Sequence, residues 1–319
     1  MKRIGILTSG GDAPGMNAAV RSAVRTGISM GMEVYGIKRG YEGLLDGEIE
    51  RMQWQSVGDI LQRGGTILRT ARSERFRTEE GRKHGVNILE TFGIEGLVVI
   101  GGDGSFRGGS ELAALGITVM GVPGTIDNDL AYTDYTIGFD TAVNTVLSMI
   151  SNLRDTASAH ERTTIVEVMG RECGDIALYS GLAGGADVIL LPEMEFDINS
   201  VCRRVLRGQQ SGKLHSIIVK AEGVEISSHQ LAETVQERTG REARAVVPGY
   251  IQRGGTPTGR DRMLASMMAA RAIKLLYDDE ESKAIGTCND EIIAYDLEEA
   301  LSMKKHFRAD LYEIAETLA

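Results

Sequence analysis

Short apolar blocks and amphipathic blocks follow one another along this chain, and they predict strands and helices in turn. Residues 3–7, 33–38 and 97–100 are mainly apolar stretches of strand length. The last is wholly apolar and rich in β-branched residues, the pattern of a parallel strand buried on both faces. Residues 117–122 form another such run, expected to break at Pro123-Gly124. Between these runs, helical spacing puts Val20, Ala23, Val24, Gly27 and Ile28 on one face. It makes 79–92 amphipathic and starts a helix at Gly108, while Gly40 to Gly43 reads as a turn. A long helix begins near Phe139, with Asp140 or Thr141 as cap, and is expected to stop at Arg154-Asp155 before a polar loop over 156–162. Strands then follow at 163–168, 186–191, 216–220, 245–247 and near Ile292. A helix rich in Met and Ala over 261–277 is expected to pack its methionines into the core. A last helix carries Leu311, Ile314 and Leu318. This alternation predicts α/β architecture: three-layer, Rossmann-like units with mostly parallel sheets, one before and one after about residue 139. A cleft between two such units is the expected place for a ligand.

Composition narrows the class. At 319 residues, with 42% hydrophobic and 25% charged positions, the chain has room for one large or two medium domains. Forty glycines against five prolines suit many strand-to-helix turns rather than a disordered linker. No apolar run reaches membrane length, and Met1-Lys2-Arg3 leads straight into the first strand, so a cytoplasmic protein without a membrane partner is expected. Cys173, Cys202 and Cys288 are scattered, which indicates neither a disulfide framework nor zinc. A formal net charge of −10 argues against a nucleic-acid partner and requires an anionic substrate to find local arginines. Arg63, Arg69, Arg72, Arg75, Arg77 and Arg82 fall in one segment, which a solvated basic face would also explain. Arg21 and Arg25 lie four apart on one helix, where a bound anion would relieve their repulsion and plain exposure explains them equally.

The chemistry concentrates in residues 97–130. Gly101-Gly102-Asp103-Gly104-Ser105 closes one buried strand, and Thr125, Asp127 and Asp129 follow the next. Glycines at such a junction admit a ligand close to the backbone, and the N–H groups of the following helix favour an anion. Carboxylates beside a phosphate cradle need a cation between them, so Mg²⁺ on Asp103, shared with Asp129, is the economical reading, with Asp127 left as base. Turns also favour Gly, Asn and Asp for purely conformational reasons, but both motifs on consecutive strand ends point to a site. Gly11, Asp103, Asp127, Arg171 and Glu222 each lie just past an apolar run. In open parallel sheets such positions converge on one crevice. Together they offer phosphate cradle, metal ligand, base and transition-state charge, the parts that phosphoryl transfer to a hydroxyl requires. Arg72 and Arg171 are candidates for that charge, and Arg162, Arg244 and Arg253 for an acceptor's own phosphate.

The segments ILTSGGDAPGMNAAVR, VVIGGDGS, GVPGTIDND, TIGFDTA, RDTASAHERT, EVMGR, GLAGGAD, AEGV and QRGGTPT, with GGTIL and TAR between the first two, resemble the bacterial ATP-dependent 6-phosphofructokinases over essentially the full length. The resemblance implies a cytoplasmic glycolytic kinase, a homotetramer, that moves the γ-phosphate of ATP to the 1-hydroxyl of fructose 6-phosphate with Mg²⁺. It implies an ATP-binding domain over 1–138 plus 251–303 and a sugar-phosphate domain over 139–250 plus 304–319. By position, Gly11, Arg72, Ser73, Gly102, Asp103, Gly104 and Ser105 match the ATP and Mg²⁺ site, with Tyr41, Arg77, Arg107 and Gly108 near the adenosine. Asp127 matches the base, with Thr125 and Arg171 at the transferred group. Ile126, Met169, Gly170, Glu222, Tyr250, Ile251, Gln252 and Arg253 match the sugar-phosphate pocket, completed by Arg162 and Arg244 of a neighbouring subunit. Arg21, Arg25, Arg154, Gly185, Asp187, Ser211, Lys213 and His215 match a site for ADP or phosphoenolpyruvate.

Three departures stand out. Tyr250 replaces the usual His, and a phenol cannot become cationic, so the grip on the sugar phosphate is expected to be weaker and less pH-sensitive. Trp54 and Ser211 stand where basic residues are usual in the effector site, and Asp187 replaces Glu. Two missing cations, at ~1–3 kcal/mol for each charged hydrogen bond, imply feeble effector control. Two rival readings are a pyrophosphate-dependent relative and a non-catalytic nucleotide sensor on the same fold. The former usually carries Asp at Gly104 and Lys at Gly124, and the latter would lack the base that Asp127 supplies.

Overall fold

The computed structural model describes residues 1–319. Its elements in chain order begin with β1 (Arg3–Thr8), α1 (Met16–Ser29), β2 (Glu33–Ile37), α2 (Gly40–Leu45) and β3 (Ile49–Arg51). Next come α3 (Glu79–Phe92), β4 (Gly96–Gly101), α4 (Asp103–Ala113), β5 (Thr118–Thr125) and β6 (Ile137–Gly138). Then follow α5 (Phe139–Ala159), β7 (Thr163–Val168), α6 (Asp175–Gly184), β8 (Val188–Leu190) and α7 (Ile198–Gln210). After these stand β9 (Ser216–Ala221), α8 (Ser228–Thr239), β10 (Ala243–Val246) and α9 (Gly259–Tyr277). The chain closes with β11 (Lys283–Cys288), β12 (Glu291–Asp296), α10 (Leu297–Ser302) and α11 (Ala309–Leu318).

These elements form two compact units. The first comprises Met1–Ile126, Leu130–Thr141 and Arg253–Lys305. Its sheet runs β12-β11-β5-β4-β1-β2-β3, with β6 beside β5, and only the edge strands β3 and β12 are antiparallel. All six residues of the central strand β4 are buried, as its unbroken apolar run requires. The second unit comprises Asp127–Asp129, Ala142–Gln252 and His306–Ala319. Its four strands, in the order β10-β7-β9-β8, are all parallel. The α/β class with mostly parallel sheets is therefore the one found.

Several local expectations are corrected. The helix after β4 begins at Asp103 rather than Gly108, because Gly102 O accepts from Ser105 N and Phe106 N and buries the Phe106 ring. β5 does not break at Pro123-Gly124. Pro123 falls opposite Gly101, where β4 ends, so its missing N–H is lost only from the end of the ladder, and β6 pairs with Gly124 and Thr125. Residues 40–45 are helical because one turn buries Tyr41, Leu44 and Leu45 together. α5 runs on to Ala159, since Ala157 is buried and Ser158 bonds back to Arg154 O. β11 was not expected, and it pairs with β12 through Asn289-Asp290, both at positive φ, the requirement of a tight hairpin turn. Met268 lies in the core, but Met263 and Met267 of α9 are exposed, as are Ile314 and Leu318 of α11.

In the first unit α5 and α9 cap each other. Asp261, fully buried, accepts from Gly138 N, Thr141 N and Thr141 Oγ1, while Thr258 Oγ1 donates to Asp140 Oδ2. Burial pushes the Asp261 carboxyl up to about 6, against the lowering effect of its three hydrogen bonds. A carboxyl raised in the folded state adds stability when protonated and loses it as pH rises from the unfolded value near 4 through 6. Asp261→Asn removes this titration, so the unfolding free energy of wild type minus that of the variant should rise by about 1 kcal/mol from pH 7 to pH 5. Urea unfolding at the two pH values measures it, and an unchanged or falling difference would contradict the assignment.

Candidate active site

In the first unit the C-terminal ends of β1 and β4 bring two glycine turns together. Ser9 N donates to Ile100 O at 3.0 Å, and a Cβ on Gly101 would lie 2.5 Å from both Ser9 O and Ser105 Oγ, so only glycine fits. Gly102 precedes α4 and lies against Thr125, at 3.5 Å from where its Cβ would be. Gly10 lies against Ser105 of α4, 3.3 Å from its Oγ to where a Cβ would be, so the N-terminal end of α4, with Asp103 in its first turn, stands beside the Gly10-Gly11 turn, a place that favours an anion. Gly104 is exposed, and a Cβ added there would meet nothing within 4 Å, so a side chain at this position would enter open space at the start of α4. Gly11 abuts Arg253, whose Cζ would be 3.2 Å from its Cβ. Arg253, expected in a sugar-phosphate pocket, therefore places its guanidinium beside the glycine turn.

The carboxylate of Asp103 is part-exposed and pairs with Arg107 at 2.8 Å, which holds the guanidinium above its ordinary value. No group of three or more His, Cys, Asp or Glu side chains is arranged so as to hold a metal ion by itself. The donors at hand are carboxylate oxygens, which suit a hard cation held by one or two carboxylates together with substrate phosphates. In that respect Asp103 fits Mg²⁺.

The loop before α3 closes over this region. Thr70 Oγ1 donates to Gly10 O, and Asn17, 1% exposed, pins the loop by bonds to Arg63 O, Gly64 O and Ile67 N. Sequence spacing gave no sign of Asn17, because a side-chain amide serving distant backbone has no local pattern. Arg72 is exposed on the same loop, and Ser73 Oγ accepts from Phe76 N. Arg75 ties the loop to α2 through Glu42 and Asp46, whereas Arg77 pairs with Glu74 at the surface. The arginine-rich segment is thus partly an ion-pair network. Tyr41 lies under α4 rather than on a surface. Its hydroxyl donates to Ser105 O at 2.6 Å and its ring stacks on Phe76 at 4.1 Å. Burial raises its pKa, and Gly108 lacks a side chain where that ring passes.

The second unit brings together another group of the expected site residues. Asp127, 3% exposed, follows β5 by two residues and forms an ion pair with Arg171, Nε to Oδ2 3.3 Å. Ile126 before it is buried. Arg171, at φ 55, and Gly170, at φ 139, hold a backbone that Glu222 Oε1 fixes by accepting from Gly170 N at 3.1 Å and Arg171 N at 2.8 Å. Met169 N donates to Gln252 Oε1, and Gln252 is itself buried and bonded to Gly249 O. Tyr250 and Ile251 are exposed, at 78% and 65%.

The remaining arginines do not join this cluster. Arg162 precedes β7 and Arg244 pairs with Thr164 in β10, so both stand at the N-terminal end of a parallel sheet whose C-terminal end carries Arg171 and Glu222. Strands of that length separate the two ends by roughly 15–20 Å. The expected effector residues gather at the N-terminal end as well. Lys213 pairs with Asp187 at 2.7 Å, Asp187 Oδ2 accepts from Ile217 N, and Arg154 donates to Gly184 O and Gly185 O. Ser211 Oγ bonds to Gly208 O, and His215, next to Ser158, is lowered by burial and then by Arg154. In the first unit Arg25 stacks over Trp54 at 4.7 Å, and burial and Arg25 together lower Arg21.

Known proteins resemble this chain in sequence and in shape. The family model for phosphofructokinase matches residues 3–276. An ATP-dependent 6-phosphofructokinase of Clostridium tetani is 58% identical over 319 residues, covering 100% of both chains. One from Clostridium botulinum is 57% identical, again over 100% of both. Among solved structures, the phosphofructokinase of Saccharomyces cerevisiae superposes with TM-score 0.92 at 34% identity. That match covers 100% of this chain and 48% of the yeast chain, so this chain spans about half of the yeast one. A pyrophosphate-dependent phosphofructokinase from Marinobacter aquaeolei shares the fold, with TM-score 0.87 at 22% identity over 100% of this chain and 91% of that one.

Proposed function

This chain belongs to the phosphofructokinase family, and from that premise we propose that Asp127 is the base of a transfer from ATP to the 1-hydroxyl of fructose 6-phosphate. The overall activity is that of an ATP-dependent 6-phosphofructokinase, a kinase of glycolysis. The observation that carries the assignment of the base is a buried carboxylate held on a guanidinium immediately after β5. Two residues earlier, Thr125 lies against Gly102 at the anion-binding end of α4. Gly11 and 102–105 cradle the nucleotide phosphates, with Arg72, Ser73, Arg77 and Arg107 around it. Asp127 accepts the proton of the sugar hydroxyl, while Arg171 stabilises negative charge on the transferred group. Asp103 and Asp129 are the residues that would hold Mg²⁺, which when bound neutralises charge on phosphate oxygens. Glu222 bonds a sugar hydroxyl through its second carboxylate oxygen. A coupled assay for fructose 1,6-bisphosphate should give product with ATP and none with pyrophosphate. Product with pyrophosphate alone would overturn the choice of donor.

Arg162 and Arg244 serve the sugar phosphate of a neighbouring subunit in a homotetramer, a reading supported by their place at the sheet end remote from Arg171. No helix is long and apolar enough to cross a membrane, in keeping with action in the cytoplasm. The effector residues bind ADP or phosphoenolpyruvate only feebly, because Trp54 occupies the Arg25 guanidinium and Asp187 that of the Lys213 ammonium. Low-millimolar phosphoenolpyruvate should leave the fructose 6-phosphate saturation curve hyperbolic, and a strongly sigmoidal curve would show that the effector site works at full strength.

A further inference from the structure

The residue after Asp127 makes contacts that the chemistry above does not use. Asn128 is 1% exposed and sits at φ 52, a left-handed conformation that Asn adopts more readily than most residues. Its Nδ2 donates to Asp175 Oδ2 at 2.8 Å, a fully buried hydrogen bond, and its carbonyl oxygen accepts from Cys173 Sγ at 3.8 Å. Asp175 opens α6 and is 5% exposed. The residue before it, Gly174, is fixed in turn, its N–H donating to Glu193 Oε1 at 2.8 Å. Arg171, which holds Asp127 Oδ2, lies at the start of this same short segment, 170–175.

We propose that Asn128 and Asp175 are positioning residues for phosphoryl transfer, clamping the peptide on the far side of the base while Arg171 holds its carboxylate. Two dihedral angles separate the Asp127 side chain from the Asn128 plane. A rotation there would swing the carboxylate away from a bound hydroxyl, and a misplacement of about 1 Å lowers a rate by about a hundredfold. The segment 170–175 therefore delivers two groups to neighbouring residues of one strand end: a cation to the base itself and an anion to the amide beyond it. A carboxylate in the first turn of α6 also favours the helix end, and that role alone would not touch turnover.

The inference rests on Asp127 being the base, so Asp127→Asn is measured alongside. Asp175→Asn keeps the shape and one acceptor oxygen but replaces a charge-assisted bond by an amide pair, and kcat should fall about tenfold with the KM for ATP unchanged within about twofold. Asn128→Asp sets two carboxylates against each other and should lower kcat about a hundredfold. The double variant Asn128→Asp with Asp175→Asn restores one donor and one acceptor with their roles exchanged, and should regain at least about tenfold over Asn128→Asp alone. Melting temperatures report folding for each. If Asp175→Asn folds with wild-type kcat, or if the two single losses simply multiply in the double variant, the clamp is wrong. Should the single variants not fold, the double variant decides alone: turnover within about tenfold of wild type supports the clamp, and turnover as low as that of Asp127→Asn overturns it. Wild-type turnover in Asp127→Asn itself would instead refute the base.

Discussion

Asp127→Asn should yield a folded protein whose kcat is lower by about three orders of magnitude, with the KM for ATP within about threefold of wild type. An amide has the same shape as the carboxylate but cannot take up the proton of the sugar hydroxyl, and a positioned base contributes ~10²–10⁴ in rate. The substitution also removes the anion that faces Arg171. Because that guanidinium is 59% exposed, water replaces the lost partner, and the melting temperature should change little. The loss should appear in kcat rather than in the KM for ATP, since a base acts on the sugar hydroxyl and not on the nucleotide. Steady-state kinetics with each substrate varied at saturation of the other measures both parameters. A loss confined to KM would assign Asp127 to binding.

Gly104→Asp should lower kcat/KM for ATP by at least about a hundredfold without lowering the melting temperature. Nothing lies within 4 Å of where a side chain at 104 would start, so the new carboxylate meets no steric obstacle. It stands in the first turn of α4, where a negative charge is favourable by ~0.3–1 kcal/mol, and replacing a helical glycine adds to stability. The same charge stands at the N-terminal end of α4, beside the glycines assigned to the nucleotide phosphates. At an effective dielectric near 20, a unit charge about 4–5 Å from a phosphate oxygen costs roughly 3–4 kcal/mol, enough for a factor of a hundred or more. Stability and nucleotide use should thus move in opposite directions. A variant that keeps its ATP kinetics would show that the nucleotide does not lie across Gly104.

The parts of the fold that could be read in advance are those with a local cause. β4 announces itself because a strand buried on both faces must be apolar throughout, and the glycines after it are needed where Ser9 O and Ser105 Oγ leave no room. The site residues at strand ends followed from the same logic. What could not be read depended on partners distant in sequence. β5 continues past Pro123 only because β6 arrives to pair with Gly124 and Thr125. Gly40–Leu45 becomes a helix because its three apolar side chains have a core to enter. Arg253 reaches Gly11 from the far end of the chain, Asn17 pins a loop some fifty residues away, and Asp175 grips Asn128 across 47. Such contacts leave no periodicity, since each is one polar side chain serving one backbone segment. Only the hairpin at Asn289-Asp290 carried an unused local signal, as both residue types tolerate positive φ.

Single-turnover transfer from ATP to fructose 6-phosphate, followed across the acid range in wild type and in Asp127→Asn, tests the assigned base most directly. Wild type should slow as the solution is acidified through the titration of one carboxylate, and the variant should transfer slowly at every pH with that acid limb gone. The same limb in both proteins would mean that some other group takes the proton.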